Sequence, residues 1–148
     1  MLSRERVPAV TGTGALTITD FLLARITEDE QVAREASHST GWRYDPGKVN
    51  AVSREESVFA GPPGARAITI ASTGPEDDPQ SMMDARHIAR FDPARVLAGC
   101  KAKREIVEEC ERSILNDKDP STAEWIASHL ATVYASHPDY DPAWAPES

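Results

Sequence analysis

The longest periodic stretch of the chain lies in its second half. Val96, Cys100, Val107, Cys110 and Ile114 fall on one stripe at helical spacing, with Lys103 where a further apolar residue would continue it. Leu97 and Leu115 widen that stripe, so the pattern predicts an amphipathic helix of about six turns. Just upstream, Met83, Ile88 and Phe91 predict a shorter helix over residues 81–91, with those three side chains on its buried edge. The two meet at Asp92-Pro93. Proline disfavours the α conformation in the residue before it. Asp92 can accept from the open N–H groups of a new helix, and Pro93 suits the first helical position, where no donor is needed. The segment from Asp84 to Leu115 is therefore expected to be two helices hinged at Asp92-Pro93.

An earlier helix is predicted from Thr19 or Asp20, either of which can cap it, to about Ala36. Leu22, Ile26, Ala33 and Ala36 form its stripe, with Phe21 and Val32 beside it. Asp29 interrupts this stripe as Lys103 interrupts the other. A charge on a buried face finds a partner or stays at the rim. Either Asp29 meets Lys103, Arg95 or Arg104, or both interrupting charges sit at the rim.

From Ser37 to Gln80 the helical period is lost. Trp42–Tyr44, Val49–Ser53, Ser57–Ala60 and Ala65–Ala71 are the candidate strands, with turns at Asp45-Pro46-Gly47 and Gly61-Pro62-Pro63-Gly64. Ser72–Gln80 reads as a polar loop. Ser121 with Glu124 forms a capping box. Trp125, Ile126, His129, Leu130, Val133 and Tyr134 follow at helical spacing, and His137-Pro138 ends that helix. Tyr140 and Trp144 are expected to pin the tail to the body. Residues 1–18 read as a flexible arm, in which Ala15–Ile18 could add a short strand, and 145–148 as a flexible tail. The pattern as a whole predicts a single α+β domain over residues 19–144: a first helix, a small antiparallel sheet of two to four strands, then three helices.

Composition narrows the function classes. The chain has 148 residues, 40% hydrophobic and 27% charged, which suits one ordinary core. Its net charge of −8 argues against a general nucleic-acid binder, which needs clustered Lys and Arg. No apolar run has transmembrane length, and the N-terminus lacks the apolar core of a signal peptide. Cys100 and Cys110 lie about 15 Å apart along one helix, too far for a disulfide. A cytoplasmic protein with reduced thiols is expected.

The candidate chemistry is sparse. His87, Arg90, Asp92 and Arg95 cluster around the hinge, where a helix N-terminus flanked by arginines could bind an anion. Against this, Asp92 itself would occupy that N-terminus. Arg90, Asp92, Arg95 and Lys103 are the candidate ligand-binding residues. Imidazole is the side chain most often used as a general base, so His87 could serve as one. Carboxylates cluster on the first helix and on the long one, so Asp29 with Glu108 or Glu111 could hold Mg²⁺ for phosphate hydrolysis. The other acids read as solvated faces with partners such as Lys101–Glu105 and Arg104–Glu108. Histidine and cysteine show no tight metal-binding spacing. GPPGAR lacks the Lys-Ser/Thr of a phosphate loop and falls between strands.

Several short words of the sequence, TDFLLARITEDEQVARE, the GW before the first strand, HIARFDPARVL with AKREIV, and YASHPDY with a following Trp, resemble a family of small uncharacterised proteins from actinobacteria such as streptomycetes and their phages. The likeness covers most of residues 16–144. In that family His often stands where this chain has Phe91. The resemblance implies a source and no activity. The expected function is that of a non-enzymatic accessory or protein-interaction protein without a cofactor. Its expected partner is a protein, a basic one fitting its charge, with no direct contact to nucleic acid or membrane, and its expected state is a monomer or homodimer. The alternatives are a Mg²⁺-dependent nucleotide or phosphate hydrolase using Asp29 and Glu108 or Glu111, with His87 and Asp29 as the alternative catalytic residues, and an anion-binding module at the hinge.

Overall fold

The structure is a computed structural model that describes residues 16–37, 41–62, 64 and 66–147. The arm expected over residues 1–18 falls mostly outside them. The architecture is α+β. Helix α1 (Ile18–Glu35) precedes strands β1 (Glu55–Ala60) and β2 (Ile68–Pro75). Helices α2 (Pro79–Arg90), α3 (Pro93–Asn116) and α4 (Ser121–Ala131) follow, then two short 3₁₀ turns, Thr132–Tyr134 and Pro142–Trp144. The chain divides into two compact units, Met1–Glu28 with Cys100–Ser148, and Asp29–Gly99.

The first unit has an aliphatic and aromatic core. Phe21, Leu22 and Ile26 of α1 and Cys100, Val107 and Cys110 of α3 are buried, as the two stripes predict. Burial raises the Cys110 thiol above its ordinary pKa, with Glu109 adding to the effect, so it stays a packed thiol. Thr17, rather than Thr19 or Asp20, caps α1: its hydroxyl accepts from the Asp20 N–H at 3.1 Å. Lys103 is half-buried beside Leu22, Ile26 and Val107 at a small enclosed cavity of about 20 Å³. Helix α4 departs from its apolar pattern. Its buried face is Ala123, Ala127 and Ala131, while Trp125 is 62% exposed. The expected capping box is absent too. Asp119 accepts from the Ser121 N–H at 3.1 Å, and the Glu124 N–H bonds to the Pro120 carbonyl.

The end of this unit closes around one residue. The ring of Phe21 has Tyr134, Tyr140 and Trp144 around it at centroid distances of 6.2, 6.0 and 5.1 Å. Arg25, only 8% exposed, lies over the same ring. It bonds to Glu28 at 3.0 Å and to the His137 ring at 2.8 Å, and reaches Asp139 at 3.9 Å. The aromatic residues of the tail thus pack on the body.

The second unit is built on an antiparallel hairpin. Glu55 pairs with Pro75 and Ala60 with Ile68, and two irregularities in β1 twist the ladder. Strand β2 runs further than ARAITIA suggested, taking in half of the expected polar loop, because Thr73 and Gly74 pack under α2. The Thr73 hydroxyl bonds to the Ser81 carbonyl at 2.7 Å, and a Cβ at Gly74 would collide with the Ser81 side chain. Trp42–Tyr44 and Val49–Ser53 do not form strands. Single bridges, Arg43 to Phe59 and Val49 to Glu56, hold this segment along β1, and the Asp45-Pro46-Gly47 turn between them bends the chain off the ladder. Ser57, Val58 and Ala60 are buried beneath.

Candidate functional site

Helix α2 starts at Asp78, whose carboxylate accepts from both the N–H and the hydroxyl of Ser81, at 2.9 and 2.7 Å. These bonds, the hydroxyl first, hold its pKa below the usual carboxylate value. The helix ends at Arg90 with Phe91 as its C-cap, and α3 opens at Pro93, as the Asp92-Pro93 hinge predicts. Asp92 caps α3 through the Arg95 N–H at 3.0 Å and also accepts from the Trp42 N–H at 3.3 Å. One carboxylate therefore fixes both the hinge and the start of the 42–44 segment.

A cleft of about 830 Å³ opens between these pieces. One wall is the face of α2 that carries Met83, Arg86, His87 and Arg90, continued by Phe91 and Arg95 at the hinge. The other wall is Trp42, Arg43 and Tyr44. Met83 and Phe91, expected on a buried edge, are 60% and 45% exposed. Ser81 and Ala85 take the buried positions instead, because the hairpin meets α2 on its small-residue face. The apolar edge read from the sequence is real, but it lines an open cleft.

The electrostatics of the cleft are one-sided. It is lined by four arginines and a histidine and by no carboxylate. Arg43 is held by Asp45 at 3.4 Å and donates to the Gly61 carbonyl at 2.6 Å. The Arg95 guanidinium sits 4.4 Å over the Phe91 ring, and the His87 ring lies 4.8 Å from the same ring. Arg86 and Arg90 form no ion pair with another described residue. The Tyr44 hydroxyl points the other way, donating to the buried Glu56 at 3.4 Å. Burial, and then the Glu56 charge and hydrogen bond, push its pKa up, while Arg86 pulls it down. The Trp42 indole N–H is buried with no acceptor among the described residues.

The structure thus brings together three of the candidate residues, His87, Arg90 and Arg95. Asp92 is adjacent but committed to the two backbone bonds above. Asp29 is half-buried in the same unit on α1. Lys103, Glu108 and Glu111 belong to the first unit. There Glu108 is exposed, Glu111 is 8% exposed, and Arg104 donates to the Thr27 hydroxyl at 2.9 Å. Among the described residues no group of three His, Cys, Asp or Glu side chains is placed to hold a metal ion. Sequence reasoning missed Arg43, Arg86, Trp42 and Tyr44. Arg86 left a signal, since it stands four residues before Arg90 on one helical face. Arg43 left none, since only its bridge to Phe59 brings it to the cleft.

The chain matches, over residues 16–146, the sequence pattern of a family of unknown function (DUF6221), and it belongs to that family. No curated protein and no solved structure matches it. No helix among the described residues is long and apolar enough to cross a membrane.

Proposed function

We propose that this protein is a non-enzymatic binding module whose second unit captures a small anion in the cleft between α2, the hinge and the 42–44 segment. The carrying observation is the lining: Arg43, Arg86, Arg90, Arg95 and His87, without an acidic residue, on a chain of net charge −8. Guanidinium groups are planar multi-donors suited to phosphate and carboxylate oxygens. Of the lining arginines, Arg86 and Arg90 form no ion pair with another described residue, so no internal salt bridge has to break before they accept an anion.

The lining favours binding over turnover. It holds no serine, threonine or cysteine nucleophile, and the raised pKa of Tyr44 makes its phenolate harder to form. His87 alone does not make a general acid–base pair. The accessory, non-catalytic character read from the sequence is kept, with a small anion in place of a basic protein partner. An actinobacterial or phage setting, implied by the resemblance, is compatible with such a module.

Thermal unfolding in inorganic phosphate or pyrophosphate, against sodium chloride at matched ionic strength, tests this. The melting temperature should rise with anion concentration as binding linkage requires. Arg86→Ala with Arg90→Ala should remove most of that rise. Equal melting curves in chloride, phosphate and pyrophosphate would sink the proposal.

A further inference from the structure

We infer, resting on the anion-binding reading above, that the ligand of this cleft is a free nucleotide: a phosphate joined to a flat aromatic base. An inorganic oxyanion would explain the arginines and nothing else. The cleft, at about 830 Å³, has the volume of a small-molecule site and far exceeds what one tetrahedral oxyanion fills. Its apolar groups are equally unexplained by charge alone. Met83 is 60% exposed and Phe91 45% exposed, on a helix that had smaller residues to bury. A planar ring placed against them removes that surface from water and stacks on an aromatic partner.

The geometry separates the two functions. Phe91 is prepared as a platform, with Arg95 over its ring and His87 beside it. An arginine at an aromatic face stacks on rings and still directs N–H groups to oxyanions. Arg86 and Arg90, one turn apart on α2, carry the unpaired charge for the phosphate. Trp42 stands on the opposite wall, where its side chain lines the same cleft. A nucleic-acid strand is the less suitable polyanion. It needs a basic track over many phosphates, whereas the chain as a whole carries −8.

Isothermal titration of the full chain with the four ribonucleoside 5′-monophosphates, their nucleosides, inorganic phosphate, pyrophosphate and a mixed-sequence ten-nucleotide RNA tests this. At least one monophosphate should bind at least tenfold more tightly than its nucleoside and than either inorganic anion. Phe91→Leu keeps an apolar side chain but removes the ring, and should shrink that nucleotide-over-phosphate preference at least fivefold. Arg90→Ala should weaken the nucleotide about tenfold. Inorganic anions binding as tightly as every monophosphate would overturn the nucleotide and leave the anion reading standing. A nucleoside binding as tightly as its monophosphate, or no binding by any probe, would overturn both. Tenfold tighter binding of the RNA would overturn the free nucleotide in favour of a strand.

Discussion

Each unit of the molecule contains an arginine set against a phenylalanine with a histidine close by, and the two are finished in opposite ways. In the first unit Arg25 is almost fully buried over Phe21, and it is met by Glu28, His137 and Asp139. In the second, Arg95 lies over Phe91 beside His87, and Arg86 and Arg90 stand near without carboxylates. The residue types are the same. Burial separates them. A guanidinium taken out of water must be repaid with hydrogen bonds and opposite charge, so the first cluster is closed by its own chain. Like charges left in water repel only weakly at high dielectric, so the second can remain open until an anion arrives. An arginine–aromatic cluster becomes a candidate site when its charge is unanswered within the fold.

The largest effect expected from this contrast is on stability in the first unit. Phe21→Ala removes the ring on which Tyr134, Tyr140, Trp144 and Arg25 all pack. Large-to-small core substitutions of this type cost about 3–5 kcal/mol. Urea unfolding should show that loss in the transition midpoint, and a loss under about 1 kcal/mol would show that the tail is not packed on this ring.

Arg25→Ala comes next, at about 2 kcal/mol, from the lost charge-assisted hydrogen bonds. Glu28 and Asp139 are themselves largely exposed, so neither is left stranded when the arginine goes. Arg25→Met keeps an unbranched stem over the ring and should recover part of the loss. In the second unit the same kind of change should do the reverse. Arg86→Ala and Arg90→Ala should shift stability by no more than about 0.5 kcal/mol, as exposed unpaired residues do, while reducing stabilisation by phosphate. If Arg90→Ala destabilised the chain as much as Arg25→Ala, the open cluster would be structural as well.

The hinge, the two helical stripes and the hairpin were readable because they are local. Asp92-Pro93 acts on its own neighbours, and periodicity reports which side chains share a face. Periodicity does not report what covers that face. It put Met83 and Phe91 in a core, when they line a cleft, and it gave Val32 and Leu115 a place beside buried stripes, when they are 66% and 71% exposed. It also passed over the small residues of α4, because an alanine face looks unremarkable beside a tryptophan. The candidate site was half visible for the same reason. His87, Arg90 and Arg95 are close in sequence. Arg43 and Trp42 reach them only through the bridge to Phe59 and the bond from the Trp42 N–H to Asp92, which are long-range contacts without a sequence signature.

The smallest effect concerns how α2 presents the cleft arginines. Asp78 caps that helix, and its hydrogen bonds from Ser81 hold its folded pKa below the ordinary value. A depressed carboxylate contributes stability that is complete above its unfolded pKa and is lost as pH falls through the lower folded value. In the first unit Asp119 does the same for the start of α4 through its bonds from Ser121. Asp78→Ala should therefore lower the melting temperature by a few degrees near neutral pH, and its deficit should shrink on acidification below the usual carboxylate range. Asp119→Ala should follow the same pH course. Only Asp78→Ala, however, should also weaken phosphate binding, because it loosens the first turn of the helix that carries Arg86 and Arg90. Melting curves of both variants with and without phosphate separate the two caps. Equal loss of phosphate stabilisation in both would mean that the cleft does not depend on its own helix start.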